Sequence, residues 1–279
     1  MTTALAIFGY NRPEHLRKCL EAVKRNEIID SFLFIDGGQP HYGNEVLEVA
    51  ESFLEKLFPF VIIPRGEHLG CAKNIYNGID YVFKQENLLT NKPYDSIIVL
   101  EDDIIVADNF IEYMLKGLEY YKDKKDVGSL TGYTLIKNPQ MYASKRFTCW
   151  GWATWKDRWE KFERNIEPLD NWGDDILPML DRVLKGKLDT WDIQFAVHHL
   201  VNNLKCIHPP KSLVKNIGTD GTGTHQKKGL SKFDTDINNV EPIFHYPVEI
   251  DEGIRKQFCE KNNLSLIRKF INFIKSQME

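Results

Sequence analysis

Short apolar runs alternate along the chain with longer segments in which apolar residues recur every three or four positions. Thr3 to Phe8 has the character of a buried strand, Gly9-Tyr10-Asn11-Arg12-Pro13 that of a turn, and Leu16, Leu20 and Val23 fall at helical spacing. Phe32 to Ile35 repeats the strand and ends in Asp36-Gly37-Gly38, after which Val46, Leu47, Ala50, Phe53, Leu54 and Leu57 predict a second helix. A third unit follows: Phe60 to Ile63, a loop reaching Gly70, and a helix carrying Ala72, Ile75, Ile79 and Phe83. The fourth strand, Ile97 to Leu100, is apolar at every position, as a central parallel strand covered on both faces requires, and runs straight into Glu101-Asp102-Asp103. This alternation predicts an α/β fold: a mixed, mainly parallel, Rossmann-like central sheet flanked by helices. Ligands of such sheets gather outside the carboxyl ends of the strands, where Asn11, Asp36, Gly70 and Asp103 would meet.

Beyond Phe110 the alternation weakens, and all six tryptophans fall between Trp150 and Trp191. No Pro/Ser-rich linker separates the two regions, so one continuous sheet in a single compact unit is expected. Residues 216–225, NIGTDGTGTH, form a Gly/Thr loop with little core content. From about Gly253 a basic helical tail begins, with Leu264, Ile267, Ile271 and Ile274 on one face and Arg268, Lys269 and Lys275 supplying charge. Two readings of the tail stay open: a helix docked on the protein, or peripheral contact with anionic lipid.

Composition excludes several classes. Lys and Arg number 36 against 40 Asp and Glu in 279 residues, a net charge of -4, so there is no basic field to attract nucleic acid. The five cysteines lie far apart without C-x-x-C spacing, which argues against a zinc site and a disulfide framework and suits a reducing compartment. There is neither a signal-peptide pattern nor a run of about 18 apolar residues, so a cytoplasmic protein is expected, with the inner face of the membrane as the place for any tail contact.

Three acids in a row at a strand end repel one another and are costly to bury without a counter-charge. A divalent cation removes that cost, and carboxylate, diphosphate and water oxygens suit Mg²⁺ or Mn²⁺. An apolar strand followed by Glu101-Asp102-Asp103, with the N-terminal segment FGYNRPEHLRKCL, resembles the GT-A glycosyltransferases, and is similar to bacterial family-2-like enzymes and to N-acetylglucosaminyltransferase I. The resemblance implies that Asp103 binds the metal, that Asp102 lies near the donor's ribose and sugar, and that Glu101 replaces the first Asp of the commoner Asp-x-Asp motif. It also implies nucleotide contacts from Asn11 and Arg12 after the first strand and from Asp36 after the second. His68 to Asn74 resembles the family's leucine-glycine segment before a helix, in which Gly70 admits close backbone approach and Lys73 and Asn74 face the nucleotide.

Of Trp150, Trp152, Trp155 and Trp159, about two are expected in the core, while Trp150, Gly151 and Trp152 border the sugar, whose C–H faces suit aromatic rings. Trp191, Phe195 and His198 or His199 share helical spacing and place Asp192 near a helix start, where a carboxylate is favourable in any protein. A Trp-Asp pair in N-acetylglucosaminyltransferase I-like enzymes makes Asp192 the expected catalytic base, although Ile193 stands where that family has a second acid. The Gly/Thr loop resembles the loop that closes over the donor, with His225 toward metal or diphosphate and Lys227 and Lys228 as added charge. The implied activity is inverting transfer from a UDP-sugar, UDP-N-acetylglucosamine first, to a hydroxyl of a glycan or lipid-linked glycan, as in polysaccharide biosynthesis. Residues 1–110 are then the nucleotide-sugar half, 111–250 the acceptor-binding and catalytic half, and 251–279 the tail. A sugar-nucleotide nucleotidyltransferase would share the layout but needs a glycine-rich, basic triphosphate loop where this chain has FGYNRPEHL. A non-catalytic carbohydrate-binding protein would leave the acids unexplained.

Overall fold

The structure is a computed structural model that describes residues 1–38, 42–87, 89–136, 138–164, 176–221, 233–241, 243–251 and 253–261. Three βα units and a fourth strand open the chain. Strands β1 (Thr3–Gly9), β2 (Ser31–Ile35), β3 (Phe60–Pro64) and β4 (Ser96–Glu101) are parallel in the order β3-β2-β1-β4, joined by helices α1 (Pro13–Val23), α2 (Tyr42–Glu51) and α3 (Cys71–Val82). The chain continues through β5 (Ile104–Val106), α4 (Phe110–Tyr121), β6 (Val127–Thr131), β7 (Tyr142–Ser144), β8 (Trp152–Trp155), the short α5 (Lys156–Trp159), α6 (Leu177–Leu184), α7 (Asp192–Val201), β9 (Lys205–His208), β10 (Val214–Asn216) and α8 (Gly253–Lys261). Strand β8 pairs antiparallel with β4 and extends the sheet as β8-β6-β9-β7, so eight strands from both regions form one continuous, mixed sheet. A separate antiparallel pair, β5 with β10, stands beside the end of β4.

The period-two alternation of β1 explains the layers. Leu5 and Ile7 face a core shared with Leu16 and Leu20 of α1, Val46 of α2 and Phe110 and Met114 of α4. Ala4, Ala6 and Phe8 face a second core with Ile75 and Ile79 of α3 and Phe195 and Val197 of α7. Gly78 lets α3 approach this face: a Cβ there would collide with Phe8 and come within 3.1 Å of Phe34. A mid-helix glycine costs about 1 kcal/mol relative to alanine, which the ring contacts offset.

Two expectations are revised. Helix α2 ends at Glu51, short of the apolar positions that run to Leu57. Phe53 and Leu57 are nonetheless buried, because tight turns such as Phe53 N to Ala50 O keep them facing the core before Pro59 forbids further helix. The tryptophan stretch is more internal than expected: Trp152, Trp155 and Trp159 are buried, and only Trp150 of the four is half-exposed. Trp152 and Trp155 point to opposite faces of the sheet and enter different cores.

Helix α8 starts at Gly253 as expected and anchors through the buried Ile254, whereas the apolar and basic positions from Leu264 onward lie outside the described residues. Among the described residues no helix is long and apolar enough to cross a membrane.

Candidate active site

The ladder places the acidic motif. Asp102 N donates to Phe8 O at 2.8 Å, continuing the β1–β4 pairing past its last strand residue and fixing the motif beside the turn that follows β1. The Asp102 carboxylate, 4% exposed, accepts from Tyr10 N at 3.4 Å and from Arg12 Nη2 in a short contact. Asp103 accepts from Arg12 Nη2 at 3.0 Å through Oδ2 and from Asn216 Nδ2 at 3.4 Å through Oδ1, while its carbonyl accepts from Ile217 N at 2.8 Å. The start of the Gly/Thr loop is therefore hung on Asp103.

Burial dominates the electrostatics. It pushes the Glu101 carboxyl up to about 8, helped by the neighbouring charges of Asp103, Asp192 and Asp102. It pushes Asp102 up to about 7 against the opposing pull of Arg12. Burial likewise works against the Arg12 charge, but Asp102 and Asp103 outweigh it and hold the guanidinium more firmly protonated than usual. An all-oxygen, anion-rich cluster of this kind fits a hard divalent cation. Among the described residues no three His, Cys, Asp or Glu side chains are placed to hold a metal ion together.

Asp192 is the first residue of α7, and its charge is felt at Glu101, so the second acid belongs to the same cluster. Thr190 Oγ1 donates to its Oδ1 in a short contact, and Cys149 Sγ lies 3.8 Å from its Oδ2. Stacking of Trp191 on Trp152, with centroids 4.9 Å apart, roots this end of the helix in the core. Asp189, three residues upstream, accepts from Cys71 N at 2.8 Å and Ala72 N at 3.4 Å and so caps the start of α3. A second tie joins the helices where Tyr76 Oη donates to Gln194 Oε1.

A pocket of about 150 Å³ opens at the carboxyl ends of β2 and β3, lined in part by Tyr10, Asp36, Leu47, Pro64 and Arg65. Tyr10 stacks on His68 with centroids 4.7 Å apart. Asp36 accepts from Gly37 N (3.0 Å), Leu69 N (2.8 Å), Gly70 N (3.0 Å) and His68 Nδ1 (2.8 Å), which pins the loop before α3. Arg65 lies over the Phe34 ring, donates through Nε to Asn74 Oδ1 at 3.1 Å, and keeps a buried Nη2 with no hydrogen-bond partner among the described residues.

The structure thus brings Arg12, Glu101, Asp102 and Asp103 together, with Asp192 near enough for its charge to act on Glu101, and sets Asp36 in the wall of the neighbouring pocket, while Asn74 is buried and meets that wall only through Arg65. Asn11 is half-buried in the Tyr10–Arg12 turn, and Lys73 is exposed on α3. Three expectations are corrected. Trp152 is fully buried, with rings of Phe147, Trp191 and Phe195 around it, so it supports the site from within and cannot border a sugar. Gly151 is buried too, at φ +58°, with Val214 and Phe110 where a side chain would stand. The close approach at Gly70 (φ +84°) is made by the Asp189 carboxylate, which a Cβ there would strike. Trp150 remains at the rim, edge-on to Tyr133 at 4.6 Å. His225, Lys227 and Lys228 lie outside the described residues.

Tyr10, Arg65 and Asp189 were not singled out from the sequence. The first two sit just past β1 and β3, so the strand-end rule that found Asn11 and Asp36 could have found them as well. Asp189 carried no such signal.

A mainly parallel sheet with acids at the end of β4 and an antiparallel return at β8 is the layout of a GT-A fold. The family model described as "Glycosyl transferase family 2" matches residues 5–180, and the chain belongs to that family. Among solved structures, S. aureus TarS 1-349 is similar at 10% identity over 77% of this chain and 60% of that one, with a TM-score of 0.49. The same protein in complex with UDP-GlcNAc is similar at 11% identity over 77% and 58%, TM-score 0.47. The mannosyltransferase PcManGT from Pyrobaculum calidifontis, in complex with GDP-Man and Mn2+, is similar at 13% identity over 75% and 54%, TM-score 0.46. This chain spans between a half and two thirds of the length of each of these three. No curated protein matches the sequence.

Proposed function

We propose that the protein is a metal-dependent, inverting glycosyltransferase that moves a sugar from a UDP-sugar, UDP-N-acetylglucosamine in the first instance, to a hydroxyl of a glycan or lipid-linked glycan. The observation that carries this reading is the buried acidic end of β4 in a family 2 chain, with Asp192 of α7 near enough for its charge to raise the Glu101 carboxyl. Residues 1–110 hold the nucleotide sugar, 111–250 the acceptor, and 251–279 form an accessory tail.

Asp103 is the residue that would hold Mn²⁺ or Mg²⁺, and a bound cation supplies positive charge to the departing diphosphate. Asp102 faces the donor's ribose and sugar. The Asp192 carboxylate accepts the proton of the acceptor hydroxyl as its oxygen attacks the anomeric carbon. The bond to the diphosphate breaks on the opposite side, so the product has inverted configuration. Thr190 and Cys149 orient that carboxylate through their contacts with its two oxygens.

Thermal stability measured against UDP, GDP and their sugars, with and without Mn²⁺, tests the donor side, because a ligand that binds only the native state raises its stability. UDP with metal is expected to give the largest shift. A larger shift with GDP, or none that depends on metal, overturns the donor or the metal assignment. Product configuration read by NMR tests the rest, since retention would exclude single displacement.

A further inference from the structure

The gap between Asp102 and Asp103 is filled by a cation that belongs to the chain itself. One nitrogen of Arg12, Nη2, contacts both carboxylates, at 3.0 Å for Asp103 and more closely for Asp102, and the three side chains are only 17%, 14% and 4% exposed, in the order Arg12, Asp103, Asp102. Both Asp103 oxygens are engaged, the second by Asn216. The backbone at Gly218 closes over the pair so tightly that a Cβ there would collide with Asp103 Oδ2 and stand 3.0 Å from Arg12 Nη1. A divalent cation seeking these oxygens meets a positive charge already in place on them. Two adjacent buried carboxylates are in turn strongly disfavoured without a counter-charge, so one cation or the other has to be in place.

We infer that Arg12 is a positioning residue: it holds Asp102 and Asp103 in the metal-free protein, releases Asp103 when the divalent cation arrives, and turns to the donor's diphosphate. The exchange rests on the metal role proposed above for Asp103. It keeps the charge balanced, because the arginine displaced by the metal is freed where the donor brings its own negative charge, and a guanidinium fork matches phosphate oxygens. Arg12 stands on the turn between β1 and α1, immediately before the first residue of that helix, where its side chain makes no capping bond to the helix.

The test is Mn²⁺ binding by the full-length chain, followed by electron paramagnetic resonance, first without nucleotide and then with UDP. If the Arg12 pair is formed in about nine molecules out of ten, Arg12→Gln binds Mn²⁺ about tenfold more tightly without nucleotide, and it binds UDP with Mn²⁺ more weakly than the native protein. Arg12→Lys keeps the charge but not the fork, so it falls between the two and carries the test should the glutamine variant fail to fold. In thermal melts Arg12→Gln loses stability without metal and recovers more of it on adding Mn²⁺ than the native protein gains. A purely structural arginine would instead give affinity changes of one sign, and unchanged or weaker nucleotide-free Mn²⁺ binding in Arg12→Gln overturns the exchange. Asp103→Ala separates the two levels. Loss of Mn²⁺ binding there, with no gain in Arg12→Gln, rejects the exchange alone, whereas Mn²⁺ binding that survives Asp103→Ala rejects the metal assignment and the exchange with it.

Discussion

The two acidic positions of the site are held in different ways. Asp102 and Asp103 continue a six-residue strand whose neighbour β1 pairs with it in unbroken register from Thr3 to Phe8. Asp192 stands on the first turn of a helix, and what fixes it is side-chain contact: Trp191 on Trp152, Tyr76 with Gln194, Thr190 on the carboxylate itself. The sheet around it is also less regular, with a register shift between Val127 and Ser129 in the β6–β9 pair. A backbone ladder survives most substitutions, and a lattice of side chains does not. The donor side should therefore tolerate distant mutations better than the proposed base.

The sharpest break of this comparison is Asp192→Asn, which is expected to lower transfer by about 10²–10⁴-fold, the range of a lost general base, while UDP binding with metal stays native. Near-native turnover would remove Asp192 from the chemistry. Trp152→Ala removes a ring buried against Trp191 and Phe195 and should cost about 3–5 kcal/mol in denaturant unfolding. In the surviving folded protein, turnover should fall further than donor affinity, and an equal loss of both would mean that the two sides are not separately held.

Acid supplies a third test on α7. Burial holds His199 down to about 3 against an ordinary 6.5, with Ser129 at 2.8 Å and Phe195 O at 2.9 Å on its two ring nitrogens. The unfolded chain then takes up the proton first. Stability is complete above pH 6.5 and declines as the pH falls toward the folded value, by about 1.4 kcal/mol per pH unit at most from this one group. Unfolding free energies at pH 7 and pH 5 should converge in part in His199→Gln, and the same pH loss with and without the imidazole would refute the assignment. The mildest change is Asp189→Ala, which uncaps α3 at a cost of about 1 kcal/mol. Faster hydrogen exchange at the Cys71 and Ala72 amides would report it, and native exchange there would show that the cap contributes nothing.

The first half of the fold was legible because parallel strands buried on both faces read as continuous apolar runs. Ile97 to Leu100 followed by three acids needs little tertiary knowledge to interpret. The start of α7 at Asp192 was legible for a similar reason, since an acid before a helical repeat marks a helix start, whereas the proposed role of Asp192 as base rests on the family resemblance. Trp152 and Gly151 were misread because a tryptophan's partners are set by which sheet face it enters, and nothing local to residues 149–155 encodes that. Leu57 extended α2 on paper because a run of turns, with bonds such as Phe53 N to Ala50 O and Leu57 N to Phe53 O, keeps the period of a helix without continuing its ladder. Arg65 and Tyr10 looked like ordinary loop residues until the pocket gathered them, and Asp189, an exposed acid in a loop, gained meaning only from amides more than a hundred residues away.

Strand β8 runs opposite to β4, with Trp152 level with Val99. The polypeptide therefore arrives at the acidic end of β4 and departs from it along the sheet, and residues 149–151 are delivered beside Glu101 as an incoming segment rather than an outgoing one. A change in that approach path would reshape the surface beside Glu101 without disturbing a rung between β1 and β4. In engineering terms, the direction reversal at β4 is a natural splice line.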